Sequence, residues 1–276
     1  MRPVTLSRVF ETVWYAKENS PVSISALSLY LQSSQERAKE IAEEVVNMKL
    51  LTKDIHGYTL TDKGDLFVNA VLNKDWKEIH SLLGDYSFYR EFYDIIKKCG
   101  PLPQEKILDA LKMSPVHFNT ASVHVLCDWG ERLEVIQRNV FSGNFYAVSP
   151  FSEDFKSCFL DAYRELNIHL NPFMEKHYIE IPNIREYMCE KWTFSRHEFD
   201  QEFLKLYIKN IGKIELTGAP ITTHTKFSSK KIKTTNISQI PDRFQIVLSS
   251  DQFLKGITIN GKTYYSVAYH GGDLSV

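Results

Sequence analysis

The apolar positions at the start of the chain predict three short helices. Leu6–Trp14 carries apolar side chains at helical spacing, which is typical of an amphipathic helix. A second helix is predicted over Ser23–Leu31. A third begins at Ser33-Ser34, and Ser33 with Glu36 has the spacing of a capping box.

Alternating residues then predict a β-hairpin around His56-Gly57, followed by a helix over Leu66–Leu83. The stretch SISALSLYLQSSQERAKEIAEEVVNMKLLTKDIHGYTLTDKG carries LL before this turn and Y-x-L-T-x-x-G after it. It resembles winged helix-turn-helix domains, in which LL leads into the wing and Y-x-L-T-x-x-G closes it. The resemblance covers roughly the first quarter of the chain and implies three helices and a hairpin. It implies no single function, because this fold serves many roles.

The second segment repeats the same order of elements more weakly. Helices are predicted over Phe88–Lys98 and Gln104–Leu111. Ser114-Pro115 supplies a cap residue and a first-turn proline for a third helix. Alternation around Ser142-Gly143-Asn144 predicts another hairpin.

The third segment again begins with helices, predicted over Phe155–Leu166, Ile184–Trp192 and Ser195–Ile208. Strands are predicted at Phe244–Leu248 and on both sides of Asn260-Gly261, which is a strong hairpin signal. The chain is therefore predicted to be α+β and helix-rich, with tandem winged-helix domains of which the C-terminal one has an extended β-rich wing. The predicted domains are residues 1–83, 84–150 and 151–276.

Composition limits the function classes. Lys and Arg number 33 and Asp and Glu 34, so a nucleic-acid contact has to come from a local basic surface. The four cysteines include no C-x-x-C pair and are interpreted as reduced core thiols. No signal peptide and no apolar stretch of about 20 residues is found. We therefore expect a cytoplasmic protein that does not contact the membrane.

The common enzyme motifs are absent from the sequence. It contains no phosphate-binding G-x-x-x-x-G-K-[ST], no G-x-S-x-G and no H-E-x-x-H. His117, His124 and Cys127 are too few for a predicted metal site. We predict no catalytic residue, no cofactor and no metal, with an enzyme site assembled across domains as a remaining alternative.

DNA contact by a winged helix uses the third helix in the major groove and the wing on phosphate. In the first domain, Gln35, Arg37 and Lys39 are the candidates at the start of that helix. The same helix also carries four carboxylates, which would repel phosphate: Glu36, Glu40, Glu43 and Glu44.

In the second domain, Asn119 is a candidate for a bidentate contact to adenine, while Arg132 and Arg138 lie in the predicted wing. Between Lys205 and Lys233 the third domain has a local surplus of six positive charges, in which seven lysines are opposed by Glu215 alone. A solubilising loop is the alternative interpretation of its densest part, KFSSKKIK. The candidate phosphate contacts are Lys205, Lys209, Lys226, Lys230, Lys231 and Lys233.

The leading hypothesis is a non-enzymatic tandem winged-helix protein that binds double-stranded DNA, as a transcription regulator or as the DNA-recognition subunit of a larger system. The alternative is a protein-binding adaptor of a larger ATPase or nuclease complex. The acidic third helix of the first domain and the neutral overall charge favour that alternative, in which the partner is another protein or a second copy of the chain.

Overall fold

The computed structural model describes residues 4–170, 178–218, 241–245, 248 and 250–275. The described chain is α+β and rich in helix, as the sequence predicts. Its internal contacts divide it into unit 1, Met1–Gln137 with Ser229–Val247, and unit 2, Arg138–Ser228 with Leu248–Val276. The three-domain division stays a prediction. Within the residues described, no helix is both long enough and apolar enough to cross a membrane.

Unit 1 opens with three helices and a hairpin. Leu51 lies opposite Leu60 in the hairpin, and Val22, just before the second helix, forms an antiparallel bridge with Tyr58. The second strand therefore lies between the first strand and the segment that precedes the second helix. The elements are α1 (Leu6–Asn19), α2 (Ile24–Tyr30), α3 (Gln35–Asn47), β1 (Leu51–Lys53) and β2 (Tyr58–Leu60).

The predicted capping box at the start of α3 is wrong by one residue. Ser34 is the N-cap, and its hydroxyl accepts a hydrogen bond from Arg37 N at 3.2 Å. Ser33 instead donates its backbone N–H to Ser28 O at 3.0 Å, which closes the end of α2. A helix N-cap forms where a side-chain hydroxyl accepts a hydrogen bond from the backbone N–H three residues later. Here that hydroxyl belongs to Ser34.

The single helix predicted over Leu66–Leu83 is two helices, α4 (Asp62–Leu72) and α5 (Trp76–Leu83). Lys74 between them has a positive φ of 58°, which interrupts the helix. The side chain of Asp75 then accepts from Glu78 N at 3.0 Å and begins α5.

The remainder of the first 137 residues holds a second set of three helices and a strand. The third helix begins six residues later than Ser114, because Asn119 and Ser122 form a reciprocal capping box, with Ser122 N to Asn119 Oδ1 at 2.8 Å. The prediction of a helix headed by Ser114-Pro115 is wrong. The elements are α6 (Ser87–Cys99), α7 (Gln104–Leu111), α8 (Thr120–Arg132) and β3 (Ile136–Arg138), which forms a hairpin with β4 (Phe145–Ala147).

In the described part of unit 2, three α-helices accompany an antiparallel sheet with the order β5-β8-β6, and β7 also pairs with β8. The hairpin predicted at Asn260-Gly261 is confirmed: both residues have positive φ, 49° and 77°. β5 lies between the helices predicted over Phe155–Leu166 and Ile184–Trp192, where the sequence analysis places no strand. The elements are α9 (Phe155–Leu170), β5 (Tyr178–Glu180), α10 (Ile181–Lys191), α11 (Arg196–Lys209), β6 (Ile214–Gly218), β7 (Ile257–Ile259) and β8 (Lys262–Tyr269).

The strand predicted over Phe244–Leu248 is wrong at Phe244 and Gln245, because Asp242–Gln245 forms a short helix, α12; residues 246 and 247 lie outside the described residues. By its contacts α12 belongs to unit 1, where it packs against α1. Phe244 is only 1% exposed and its ring centre lies 5.7 Å from that of Trp76. Burial on one helical face has overridden the β preference of this sequence.

Candidate nucleic-acid interface

Four exposed side chains follow one another at intervals of four residues along α11. Because an α-helix rises 1.5 Å per residue, the set spans about 18 Å and winds slowly around the helix. His197 Nε2 and Gln201 Nε2 lie 2.8 Å apart, which joins two of them by a hydrogen bond. We name this set the α11 stripe: His197, Gln201, Lys205 and Lys209.

The carboxylates of α11 are engaged with neighbouring groups. Glu198 Oε1 accepts from Phe151 N at 3.0 Å, and Asp200 Oδ1 accepts from Arg185 Nη1 at 3.1 Å. Burial raises the pKa of Asp200, an effect that the neighbouring Arg185 opposes. Glu202 Oε1 lies 2.7 Å from Lys205 Nζ, so Lys205 is the lysine of the stripe that has an acidic partner. Lys209 has no counterpart of this kind among the ion pairs of the described residues.

A buried ion pair holds the start of α11. Glu186 is fully buried, and its carboxylate accepts from Arg196 at 2.5 and 2.7 Å and from Val140 N at 3.0 Å. Arg196 also donates to the carbonyl oxygen of Arg138 at 2.5 Å. The first residue of α11 is therefore tied to α10 and to the last residue of β3, which fixes the direction of the stripe within unit 2.

A cleft of about 390 Å³ borders the stripe on one side. Lys205 and Lys209 line it together with Lys156, but four carboxylates line it too. Its balance of charge is negative, so we expect a phosphate at the exposed side of the stripe and not in the cleft. The carboxylates are those of Glu153, Asp154, Glu198 and Glu202.

The candidates on α3 lie at its surface, and each has a partner. Gln35 Nε2 is 3.4 Å from Ser25 Oγ, Arg37 pairs with Glu40 at 3.0 Å, and Lys39 lies 4.0 Å from Glu43. Glu44 does not belong to this surface.

The surface of α3 carries fewer carboxylates than the sequence predicts. Glu44 is 6% exposed and accepts a hydrogen bond from the Tyr86 hydroxyl, whose pKa is raised by burial and by this contact. Lys53 of β1 adds a cation 3.8 Å from Glu43. The surface thus has three carboxylates and three cations, and it is close to neutral.

The candidates of the second segment are largely taken up inside the protein. The side chain of Asn119 caps α8. Arg132 is 3% exposed and its Nε donates to Asp128 at 2.7 Å, so its guanidinium has no surface to offer a phosphate. Arg138 is half-buried, with its guanidinium 6.0 Å from the centre of the Phe145 ring.

The lysines of the third segment fall into two groups. Lys205 and Lys209 belong to the α11 stripe. The others lie outside the described residues and stay a prediction from the sequence: Lys226, Lys230, Lys231 and Lys233.

Sequence reasoning missed His197 and Gln201, which the structure brings onto the same stripe as the two lysines. Their positions four and eight residues before Lys205 were a usable signal. His117 precedes α8 and so does not lie on the same helix as His124, and Cys127 is buried. Among the residues that the structure describes, no group of three or more His, Cys, Asp or Glu side chains could hold a metal ion.

No family model, no curated protein and no solved structure matches this chain.

Proposed function

We propose that the chain is a tandem winged-helix protein that binds double-stranded DNA, and that the α11 stripe is its main contact. It would act as a regulator or as the DNA-recognition part of a larger system. The observation that carries the proposal is the exposed row of His197, Gln201, Lys205 and Lys209 on a helix whose carboxylates are mostly engaged elsewhere. Glutamine can pair with base edges and lysine with phosphate.

The order of elements in unit 2 supports the winged-helix part of the proposal. The helix α9, the strand β5, the helices α10 and α11 and three further strands follow one another, and the last strand, β8, lies between β5 and β6. Unit 1 repeats this order with α1, the bridge at Val22, α2, α3 and the hairpin. In this arrangement α11 corresponds to α3, the third helix, which winged helices insert into the major groove.

The test is duplex binding by the full chain and by the charge-reversal variant K205E/K209E, with a short mixed-sequence duplex at two salt concentrations. We expect the variant to lose about tenfold or more in affinity and to depend less steeply on salt, because two phosphate contacts are removed. A matched control is K106E/K112E, on α7 and at the residue that follows it, which changes the net charge equally at two exposed lysines.

Equal losses in both variants would show that only net charge matters and would overturn the assignment to α11. No binding of wild type at low salt would overturn DNA binding altogether. A further variant that neutralises Lys226, Lys230, Lys231 and Lys233 together tests the prediction from the sequence separately.

A protein partner is the second candidate, and two exposed aliphatic side chains near the stripe favour it. Ile208 is 58% and Ile211 69% exposed, which suits an apolar contact better than a nucleic acid. The partner that can be tested at once is a second copy of the chain. The measurement is sedimentation of wild type, I208S/I211S and K205E/K209E. If the partner is a second copy, wild type and K205E/K209E associate and I208S/I211S does not.

A further inference from the structure

Two adjacent side chains of α12, those of Arg243 and Phe244, hold this helix in unit 1. The Phe244 ring is buried against Trp76. The Arg243 guanidinium lies 5.7 Å from the Trp76 ring, pairs with the Glu134 carboxylate and donates from Nη2 to Glu131 O at 3.0 Å. An arginine and a phenylalanine are therefore recognised together by charge, hydrogen bonding and an aromatic ring.

The same surface also contacts the backbone of α12. Arg132 donates from Nη1 to the carbonyl oxygen of Arg243, while Asp128 holds the other side of the Arg132 guanidinium at 2.7 Å. A main-chain contact from a buried, pre-oriented arginine is a feature of peptide recognition, because it fixes the position of the bound segment. It also gives Arg132 a role other than the DNA contact predicted from the sequence.

α12 has little capacity to form a helix by itself. It is four residues long, and isolated helices shorter than about 12 residues are marginal in water. The surface of unit 1 therefore supplies the stability of this helix. On either side of Ser229–Val247 the chain belongs to unit 2, so α12 is a short segment that reaches unit 1 from another part of the sequence.

We propose that unit 1 carries a recognition surface for a peptide with arginine followed by phenylalanine, and that α12 occupies this surface in cis as a tethered ligand. The partner that fits is a segment of the same chemistry, which binds when α12 leaves. This proposal does not depend on DNA binding.

The test uses the full chain with the substitution F244A and a synthetic peptide of residues 239–247 as the probe. We expect saturable one-to-one binding by calorimetry. Wild type is expected to bind the peptide at least about tenfold more weakly, because the tethered α12 competes at an effective concentration of the order of millimolar. Peptides carrying R243E or F244A are expected to bind about tenfold more weakly or worse, since each removes one recognised group.

The control chain is D242A, which changes an exposed residue of the same helix and should behave as wild type. If folded F244A, judged by circular dichroism and its melting temperature, does not bind the wild-type peptide, the proposal is overturned. If the F244A chain fails to fold, the full chain with R243E is titrated with the wild-type peptide instead, because that chain keeps the buried Phe244. If R243E also unfolds, α12 is an integral part of the unit 1 core and the proposal is overturned.

Discussion

At the scale of single residues, burial decides which ionisable groups belong to the surface. Glu44 and Arg132 have the residue types of an exposed helical face, yet each is at most 6% exposed. Both meet a partner far away in the sequence, Tyr86 for Glu44 and the carbonyl oxygen of Arg243 for Arg132. A buried charge persists only with such partners, and sequence spacing does not reveal them.

His80 is the residue for which we predict a pH dependence. Its Nδ1 lies 2.8 Å from the Tyr89 hydroxyl and its ring meets that of Tyr93 edge-on. Burial, with a smaller effect of Lys97, lowers the pKa of His80 below its ordinary value. The unfolded chain then takes up a proton at higher pH than the folded one, so stability falls as the pH drops below about 6.5, until His80 itself is protonated.

The measurement is urea unfolding of wild type and H80Q at pH values above and below this range. We expect H80Q to lose less stability on acidification than wild type, because the glutamine does not titrate. The other histidines are common to both chains and cancel in the comparison. Parallel pH curves for the two chains would contradict the prediction.

At the scale of elements, the close packing of α4 explains the glycine of the quoted Y-x-L-T-x-x-G pattern. A Cβ on Gly64 would lie 2.2 Å from Leu50 O and 2.8 Å from Leu60 Cδ1. The helix therefore rests directly on the backbone that leads into β1. Thr61 of the same pattern caps α4, with its hydroxyl accepting from Gly64 N at 2.9 Å.

G64A should consequently destabilise the protein. Replacing a helical glycine by alanine gains about 1 kcal/mol of helix propensity, whereas overpacking against backbone costs about 1–3 kcal/mol. We expect a net loss of up to about 2 kcal/mol in the free energy of unfolding by urea. G84A is the matched control, since its Cβ comes no closer than 3.1 Å to a neighbouring atom. A G64A chain as stable as G84A would refute the packing argument.

Most helices are predictable from the sequence because their apolar periodicity extends over several turns. The Asn260-Gly261 hairpin is predictable for a similar reason, since positive φ requires particular residue types. Helix boundaries are less predictable, because Ser33 and Ser34 are chemically equivalent candidates for the N-cap of α3. β5 could not be predicted, because its three residues become a strand only by pairing with β8.

At the scale of the whole molecule, the formal net charge of −1 gives DNA no general attraction. The salt dependence of DNA binding is then set by the number of local cations that contact phosphate. Lys205 and Lys209 with the four lysines outside the described residues make six, so the slope of log K against log salt is expected to be no steeper than about −5. Titrations over a range of salt measure it, and a much steeper slope would place further cations in the interface.

The sequence by itself determined the helix-rich α+β class and the two lysines of α11, because helical periodicity and charge are local properties. It also determined the turn at Asn260-Gly261. Only the tertiary structure decided that Glu44 and Arg132 are buried, that His197 and Gln201 join Lys205 and Lys209 on an exposed face, and that Phe244 lies in a helix of unit 1. The physical reason is that burial depends on contacts between residues distant in the sequence, and these contacts outweigh local preference.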